Sequence, residues 1–501
     1  MNRLPEGVLE RTTVRLRPDP ARIVSQLFVA GEEMPSGSSR ATTVMRRVLA
    51  LSEEQVETEL AGVFERFGDR HEHLSEELVA HFEHLSDRTG DTPELSVARR
   101  MLVGAYATSE YAFESVSLCN PSIVAHPDQS GIAPGQLRFL ISLRAIGEGH
   151  LSSIELRAGT LDGAGGISVE EPGRFAVTGT VQPGPYDRDA FAALLAGHGG
   201  DVEVASMVLG RLPGRFTRLG LEESIAAVPA RAVARGGGRL MIEAIRTVAD
   251  SNYTLTFPEA SAVSERVVRP AGPAESHGME DARFVRFVDD DGTVTYYGTY
   301  TAFDGARVAP QLIATDDFRV FRVAQLAGPA AANKGMALFP RRIGGRYFAL
   351  SRWDRETNAV ATSADGRVWS DATEVQRPER AWELVQVGNC GSPIETDEGW
   401  LVITHGVGPM RAYCLSALLL DLDDPRVLRG SLAVPLLEAE GAERDGYVPN
   451  VVYSCGAILH GGSLVLPYAY GDRETSFARI SLTRLLPLIL GAGPAPRASR
   501  A

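Results

Sequence analysis

The sequence predicts a mainly β protein with a helical segment at its N-terminus. In the first hundred residues, apolar side chains recur at helical spacing. From about residue 107, short apolar runs alternate with Gly, Asp, Asn and Pro, as in strands joined by turns. Asp-containing turns recur loosely along this second region, which is typical of a β-propeller. A pair of β-sandwiches is the rival arrangement.

Three helices are predicted in the N-terminal segment. In residues 52–67, apolar side chains at spacings 0, 4, 7 and 11 define one face of a helix, and Ser52 with Gln55 forms a capping-box start. Residues 74–85 repeat the apolar pattern, and residues 92–106 form a third helix. The apolar stripes of these helices must be buried against another surface.

Strands are predicted from residue 107 to about residue 490, with one helical interruption at 237–250. Examples of apolar runs bounded by turn residues are 137–145, 293–303, 345–353, 399–407 and 462–471. Three similar turns contain Asp317, Asp365 and Asp424, which are 48 and 59 residues apart. That interval is about the length of one four-stranded propeller blade.

Composition limits the function classes. The chain has 501 residues, with 50 basic and 64 acidic side chains and a formal net charge of −14. This acidic balance argues against a general nucleic-acid or anionic-membrane binder. The N-terminus has no signal-peptide pattern, and no apolar run is long enough to span a membrane, so a cytoplasmic protein is predicted. The four cysteines, Cys119, Cys390, Cys414 and Cys455, are far apart, which favours buried thiols over disulfides or structural zinc.

The histidine-rich segment 71–84 is a separate candidate. His71, His73, His81 and His84 have ligand-like spacings, with Glu77 one turn before His81. A solvated helix face paired with acids is the usual explanation of such a pattern. No metal and no organic cofactor are therefore predicted.

Polar residues embedded in strand-like surroundings are the candidates for a functional site. They are Asn120, Arg144, His150, Glu280, Asp281, Arg283, Lys334, Arg352, Gln386, Asn389, His405, Tyr413 and Asp472. Taken singly, each could close a turn or form a structural ion pair. A propeller gathers its inner strands around one axis, so the set would converge on a central pocket that is acidic in one part and cationic in another.

Five stretches occur in the order HGMEDARF, NKGMALFPRRIGGRYFALSRWD, VGNCGSPIETDEGWLVITHGVG, YCLSALLLDLDDPRV and GYVPNVVYSCG. This series resembles the motifs of glycoside hydrolase family 130, and the likeness covers roughly residues 110 to 485. It implies a five-bladed β-propeller with an N-terminal helical extension. It also implies an inverting enzyme that cleaves β-mannosides, by phosphorolysis to mannose 1-phosphate or by hydrolysis.

The resemblance gives three segments. Residues 1–106 are expected to form the helical extension, 107–490 the catalytic propeller, and 491–501 a disordered tail. Because a propeller is already a closed unit, the apolar stripes of the extension predict self-association, and hence a homo-oligomer, or a shield over one propeller face.

The resemblance assigns Asp281 as the general acid. In the family this residue is thought to protonate the leaving oxygen through a sugar hydroxyl. An acid near neutral pH needs a raised pKa; burial and the carboxylate of Glu280 act in that direction, and Arg283 opposes them. Asn120, Arg144 and Asp472 resemble sugar-holding positions, together with Glu280 and Arg283.

The resemblance further implies inorganic phosphate as co-substrate. Lys334 and Arg352 match two basic positions of the family, and His405 and Tyr413 match a histidine and a tyrosine. A dianion needs several such donors, because a lone charge in a poorly solvated pocket is costly. A further lysine of the family corresponds to Gln386 here, so weaker phosphate binding is expected.

Two alternatives stay open. Hydrolytic members of the family lose phosphate ligands and use glutamates to activate water, and Glu383 and Glu443 are the candidate bases for that reaction. A sugar-binding propeller without catalysis is the second alternative. The adjacent acids Glu280 and Asp281 count against it, because simple binding does not need an acid pair.

Overall fold

A computed structural model describes residues 4–29, 40–89, 94–197, 200–234 and 236–491. The chain divides into two compact units. The smaller comprises Asp19–Ser115 and Gly173–Val177, and the larger comprises Met1–Pro18, Val116–Pro172 and Thr178–Ala501. Of the predicted tail, only Gly491 belongs to the described residues.

The smaller unit is mainly helical. Its helices are Arg40–Leu49, Glu53–Phe67, Leu74–Thr89 and Val97–Ala105, and its strands Ile23–Leu27 and Thr108–Ala112 pair antiparallel. Ser52 forms the predicted capping box with Gln55. Val56, Phe82 and Leu102 are at most 6% exposed and belong to one apolar core, which explains the sequence pattern. Self-association of this unit stays a prediction.

Two details of the smaller unit refine the predictions. The last helix begins at Val97, with Ser96 as its N-cap, rather than near residue 92. His71 is buried and lies 3.6 Å from Glu77 and 3.1 Å from Glu110. Within the described ranges no three potential metal ligands cluster. His71 therefore has acid partners, whereas His81 Nδ1 lies 2.7 Å from Thr108 Oγ1.

The described part of the larger unit contains five antiparallel sheets of four or more strands, numbered I to V in chain order. Sheet I contains Ser117–Ala125, Leu137–Ile146, Ser152–Leu161, Ile167–Val169 and Arg266–Val268. Sheet II contains Gly278–Val288, Val294–Phe303, Val308–Thr315, Val320–Gln325, Tyr253–Thr256 and Thr180–Pro183. Sheet III contains Ala337–Leu338, Tyr347–Ser351, Asn358–Ser363 and Asp371–Gln376. Sheet IV contains Gln386–Asn389, Ile394–Thr396, Gly399–Val407, Tyr413–Leu420, Leu428–Ser431 and Leu437–Glu438. Sheet V contains Val452–Tyr453, Ile458–His460, Ser463–Tyr470, Glu474–Ser481 and Leu9–Leu16.

The recurring aspartates mark successive sheets. Asp317 and Asp365 each follow the third strand of sheets II and III, and Asp424 follows the third long strand of sheet IV. In the first two turns, one carboxylate oxygen accepts two backbone N–H bonds of 2.8–2.9 Å from residues two and three positions later. Asp424 accepts one such bond of 3.1 Å from Arg426. The repeat therefore arises from the same turn chemistry in neighbouring sheets.

The first 18 residues depart from the predicted boundary at residue 106. Leu9–Leu16 is a strand of sheet V, paired with Glu474–Ser481, and not part of the helical segment. Val8 is 2% exposed and belongs to an apolar core that also receives the C-terminal helix Leu482–Gly491. Sequence reasoning missed this strand because its partner lies at the opposite end of the chain.

A helical insertion between sheets I and II is larger than predicted. The expected helix is present at Gly238–Asp250, but Arg188–Ala196, Val202–Leu209, Arg218–Ala226 and Ala230–Val233 precede it. A short pair of strands, Tyr186–Asp187 and Arg215–Phe216, accompanies them. Phe191, Leu221 and Ile245 are buried in their common core. The additional helices have nine residues or fewer, too short for a clear periodic pattern.

Two further findings concern the predictions about membrane-spanning segments and cysteines. Across the described residues, no helix is long and apolar enough to cross a membrane. All four cysteines are buried with free thiols. Burial raises the pKa of the Cys119 and Cys390 thiols to about 12, which keeps them protonated and unreactive.

The N-terminal strand can be tested with Val8→Asp. We expect this variant to lower the midpoint of thermal unfolding by a few degrees, because it places an unpaired carboxylate in the core of sheet V. Glu10→Ser, at an exposed position of the same strand, is the matched control. Circular dichroism measures both variants. Equal midpoints would contradict the pairing of Leu9–Leu16 with sheet V.

Candidate active site

A cavity of about 420 Å³ is lined by residues from all five sheets of the larger unit. Its charged and polar lining residues include Asn120, Arg144, Glu280, Asp281, Lys334, Arg352, Arg355, Gln386, His405, Arg411, Tyr413 and Asp472. The structure thus brings together most of the polar residues that the sequence analysis selected. It adds Arg355 and Arg411, which the sequence did not single out because they lie in turns between strands and match no family motif position.

Strand irregularities direct two of these residues to the cavity. The pairing register shifts at Asn120 in the first strand of sheet I, and at Asp281 in the first strand of sheet II. Both residues have left-handed backbone conformations, with φ of 49° and 57°. Asn and Asp tolerate this conformation better than most residues. Asn120 Nδ2 donates a 2.5 Å hydrogen bond to Asp281 Oδ1, so the two irregular strands meet at the candidate acid.

The turns between consecutive long strands supply a second group. Arg355, Arg411 and Asp472 line the cavity from such turns in sheets III, IV and V. Their φ angles are 71°, 56° and 46°, again left-handed. A side chain in this conformation costs about 1 kcal/mol or more, so the surrounding turn must hold it. Strained backbone is thus concentrated around the cavity.

Glu280 bridges two cations. Its Oε1 accepts a 2.9 Å bond from Arg144 Nη2, and its Oε2 accepts a 2.5 Å bond from Lys334 Nζ. The carboxylate is therefore neutralised by partners from sheets I and III. Because two cations balance its charge, Glu280 does not raise the pKa of Asp281, although the sequence suggested that it would.

The pKa of Asp281 is lowered, so the predicted rise is wrong for the ligand-free cavity. Burial alone acts to raise it, but the charges of Arg283, Arg144 and Lys334 and the hydrogen bond from Asn120 outweigh burial. Arg144 Nη1 lies 3.6 Å from Asp281 Oδ1, and Arg283 Nη2 lies 3.7 Å from Oδ2. The candidate acid is therefore ionised before a ligand binds.

Asp472 behaves in the opposite way. Burial and the nearby charge of Asp281 raise the pKa of Asp472 to about 6, against the opposing charges of Arg144 and Arg411. The cavity thus holds two carboxyl groups whose environments push their pKa values apart. Such a pair is typical of sites that hold and transfer protons.

Arg283 lies beneath the cavity and is not among the residues that line it. Its side chain is 1% exposed, and it donates to Cys390 O at 2.7 Å, Asp281 O at 2.7 Å and Tyr453 Oη at 3.0 Å. These partners belong to sheets II, IV and V or to the turns beside them. The prediction that Arg283 binds substrate is therefore not supported by its position, since all of its donor groups serve the fold.

Arg352 and His405 form the buried part of a cationic region. They are 9% and 1% exposed, and Arg352 Nε and His405 Nε2 have no hydrogen-bond partner among the described residues. A Cβ atom on Gly388 would lie 2.4 Å from His405 Cε1 and 2.5 Å from Arg352 Nε, so the two side chains flank this glycine. Gly335, with φ of 88°, gives Arg352 similar room. Buried donors without a partner are costly, which indicates that a ligand supplies the missing acceptor.

Aromatic rings hold His405 in place. Tyr413 stacks on the imidazole at 5.8 Å and 14°, and Tyr453 packs against it at 4.9 Å. Burial and the charges of Arg352 and Arg283 lower the pKa of His405 well below its ordinary value. The imidazole is therefore neutral and can donate one hydrogen bond to a ligand without adding charge.

Glu383 and Glu443, the predicted alternative bases, do not line the cavity. Glu383 is 0% exposed, and its Oε1 accepts bonds from the backbone of Glu379 and Arg380 and from the Arg380 side chain, at 3.1–3.3 Å. Glu443 accepts a 2.6 Å bond from Tyr468 Oη and lies 3.5 Å from Arg11. Both carboxylates thus have structural partners away from the cavity, although Glu383 Oε2 is buried without a hydrogen-bond partner among the described residues.

The chain is similar to known proteins over its second half. The model of glycoside hydrolase family 130, described as β-1,4-mannooligosaccharide phosphorylase, matches residues 254–490. A 1,2-β-oligomannan phosphorylase of Thermoanaerobacter sp. (strain X514) is 35% identical over 227 residues, covering 42% of this chain and 70% of the relative. A β-1,2-mannobiose phosphorylase of Listeria innocua serovar 6a is 31% identical over 225 residues, covering 43% of this chain and 61% of the relative.

A solved structure of the β-1,2-mannobiose phosphorylase from Listeria innocua, in complex with β-1,2-mannobiose, is also similar. It is 20% identical, with a TM-score of 0.44, over 75% of this chain and 92% of that chain. The family match begins after Asn120 and Arg144 and contains Asp281, Arg352 and Asp472.

The role of Arg283 can be tested with Arg283→Lys. We expect a loss of about 3 kcal/mol or more in the free energy of unfolding, because lysine keeps the charge but cannot reach three separated acceptors. Urea unfolding followed by fluorescence measures the change. Arg286→Lys, exposed in the same strand, is the control. If both variants unfold at the same urea concentration, Arg283 does not tie the sheets together.

Proposed function

The chain belongs to glycoside hydrolase family 130, and we propose that it cleaves β-mannosides by phosphorolysis, with inorganic phosphate as nucleophile and mannose 1-phosphate as product. The named relatives act on β-1,2-linked oligomannan and mannobiose, and the family description refers to a β-1,4 linkage. Short β-linked mannosides are thus the proposed substrate class, and the proposal includes both β-1,2 and β-1,4 linkages.

The observation that carries this proposal is the buried pair of Arg352 and His405. Each has a ring or guanidinium nitrogen that no described residue satisfies, in the cavity that Lys334 and Tyr413 also line. A phosphate dianion offers acceptor oxygens on all sides, which suits two charged donors, one neutral imidazole and one phenol. Mannose hydroxyls alone do not require this concentration of positive charge.

The carboxylate side of the cavity suits the sugar. Asn120 Oδ1 is buried without a partner, and the Asp472 side chain accepts no hydrogen bond from the described protein groups. Sugar hydroxyls can donate to both. Arg144 and Glu280 complete a region that exchanges hydrogen bonds with a polyol. The two halves of the cavity therefore match the two proposed co-substrates.

We further propose that sheets I to V are the five blades of a β-propeller. Each sheet directs its first strand or a nearby turn to one cavity, and the chain closes by pairing the N-terminal strand Leu9–Leu16 with the last strands. This closure is the usual way in which a propeller protects its strand edges. The arrangement supports the blade number expected from the family motifs.

In the proposed reaction, a phosphate oxygen attacks the anomeric carbon from the side opposite the glycosidic bond. The bond from that carbon to the leaving oxygen breaks as the bond to phosphate forms on the opposite face, so the configuration inverts. The leaving oxygen takes up a proton that Asp281 supplies through a sugar hydroxyl. Positioning of both partners and neutralisation of the phosphate charge by Lys334 and Arg352 lower the barrier.

Asp281 must first take up a proton, because three cations hold it ionised in the ligand-free cavity. Phosphate adds two negative charges near those cations. Each added negative charge disfavours a nearby carboxylate, and it does so more strongly in a poorly solvated pocket than in water. Phosphate binding therefore favours the protonated acid, and the nucleophile and the acid become available together.

Hydrolysis is the second candidate. It requires a carboxylate that activates water inside the cavity. The structural engagement of Glu383 and Glu443 counts against it, and the unpartnered cationic donors favour phosphate over water. A sugar-binding protein without catalysis is disfavoured by the paired Asp281 and Asp472, whose pKa values differ as in proton-transfer sites.

The function can be tested by incubating the protein with β-1,2-mannobiose and mannosyl-glucose, with and without phosphate. We expect mannose 1-phosphate only when phosphate is present, because water lacks the negative charge that favours protonation of Asp281. Asp281→Asn is expected to lower turnover at least about a hundredfold, the usual effect of losing a positioned acid. Release of free mannose at the same rate with and without phosphate would overturn the phosphorolytic proposal.

A further inference from the structure

Arg355 lies in a rigid turn at the edge of the cavity. The turn joins Tyr347–Ser351 to Asn358–Ser363, and the Arg355 N–H donates to Arg352 O at 3.0 Å. Asp354 fixes it by accepting bonds from Glu356 N and Thr357 N, both 3.0 Å, and from Thr357 Oγ1 at 2.6 Å. With φ of 71°, Arg355 is the left-handed residue of this turn. Its backbone is therefore held so that the side chain lines the cavity.

The same turn contacts the strand that carries Gln386. Val387 N donates to Glu356 O at 3.0 Å, which joins the turn to the first strand of sheet IV. Gln386 also lines the cavity but carries no charge. Arg355 thus brings a cation to the part of the wall where position 386 provides only an amide.

The other cations of the cavity have carboxylates nearby. Lys334 and Arg144 both bind Glu280, and the charge of Arg411 acts on Asp472. Among the described residues, no carboxylate lies within ion-pair distance of Arg355 or Arg352. These two arginines, three positions apart in one turn, therefore have positive charge available for an incoming anion.

A dianion in this cavity needs more than one uncompensated cation. Arg352 alone provides one, because Lys334 must share its ammonium with Glu280. Hydrogen bonds between ionised groups are about twice as strong as neutral ones, so a second free guanidinium is a substantial gain. We propose that Arg355 is a ligand of the co-substrate phosphate, which it binds together with Arg352 in place of a cation at position 386.

This inference rests on the proposed phosphorolysis and adds a specificity residue to it. Arg355 is exposed in the ligand-free cavity, whereas Arg352 is buried. The two therefore differ in function: Arg352 forms the floor of the anion site, and Arg355 contacts the anion from the solvent side. An exposed ligand of this kind mainly changes phosphate affinity, and the sugar half of the cavity is unaffected.

The test is steady-state kinetics of Arg355→Gln with phosphate and β-1,2-mannobiose varied separately. We expect KM for phosphate to rise about tenfold, the scale of one charge-assisted hydrogen bond at an exposed site, with kcat and KM for the sugar within about twofold of wild type. Arg346→Gln, an exposed arginine of sheet III outside the cavity lining, is the matched control and should leave both constants unchanged.

A double variant tests whether the change in phosphate KM comes from the missing positive charge and not from altered folding. Adding Gln386→Lys to Arg355→Gln should restore KM for phosphate to within about threefold, because the lysine puts a cation on the adjacent wall. An unchanged phosphate KM in Arg355→Gln, or an equal rise of both KM values, overturns the assignment of Arg355. Failure of the proposed function is seen separately, since wild-type protein would then release mannose without any dependence on phosphate.

Discussion

The buried guanidinium of Arg283 is the contact on which the geometry of the cavity depends. It joins the backbone of Asp281 to Cys390 and to Tyr453, so three sheets are fixed around one side chain. Tyr453 in turn packs on His405, which belongs to the proposed anion site. The candidate acid and the candidate phosphate site are therefore positioned by the same charge. A rigid connection of this kind holds groups from different strands in register with the accuracy that catalysis needs.

The second constraint is electrostatic. Arg283, Arg144 and Lys334 stabilise the ionised form of Asp281, yet the proposed reaction needs its protonated form. The two requirements are compatible because Lys334 faces both Glu280 and the anion site. An anion that occupies this site weakens the positive field around Asp281. In the proposed reaction, the cations that hold Asp281 ionised in the free protein therefore also bind phosphate, and Asp472 lies in the same cavity with a pKa raised to about 6.

Sequence reasoning predicted the parts of the site that lie in long motifs. Lys334, Arg352, His405 and Asp281 stand beside apolar strands, and family likeness gave their roles before their geometry was known. It could not predict the pKa of Asp281, because the cations that lower it come from three different sheets. It also missed Leu9–Leu16 and Arg355: the first depends on a partner at the far end of the chain, and the second on the conformation of a turn. Neither the distant strand pairing nor the left-handed turn conformation is encoded in an apolar periodicity.

The most direct test of this account is calorimetric titration of the protein with sulfate in buffers of different ionisation enthalpy near pH 7. Sulfate is a dianion that does not itself titrate there, so any dependence of the heat on the buffer reports protons taken up by the protein. The account predicts net proton uptake for each sulfate bound, and a smaller uptake in Asp281→Asn. A binding heat that is the same in every buffer would contradict the coupling of anion binding to the acid.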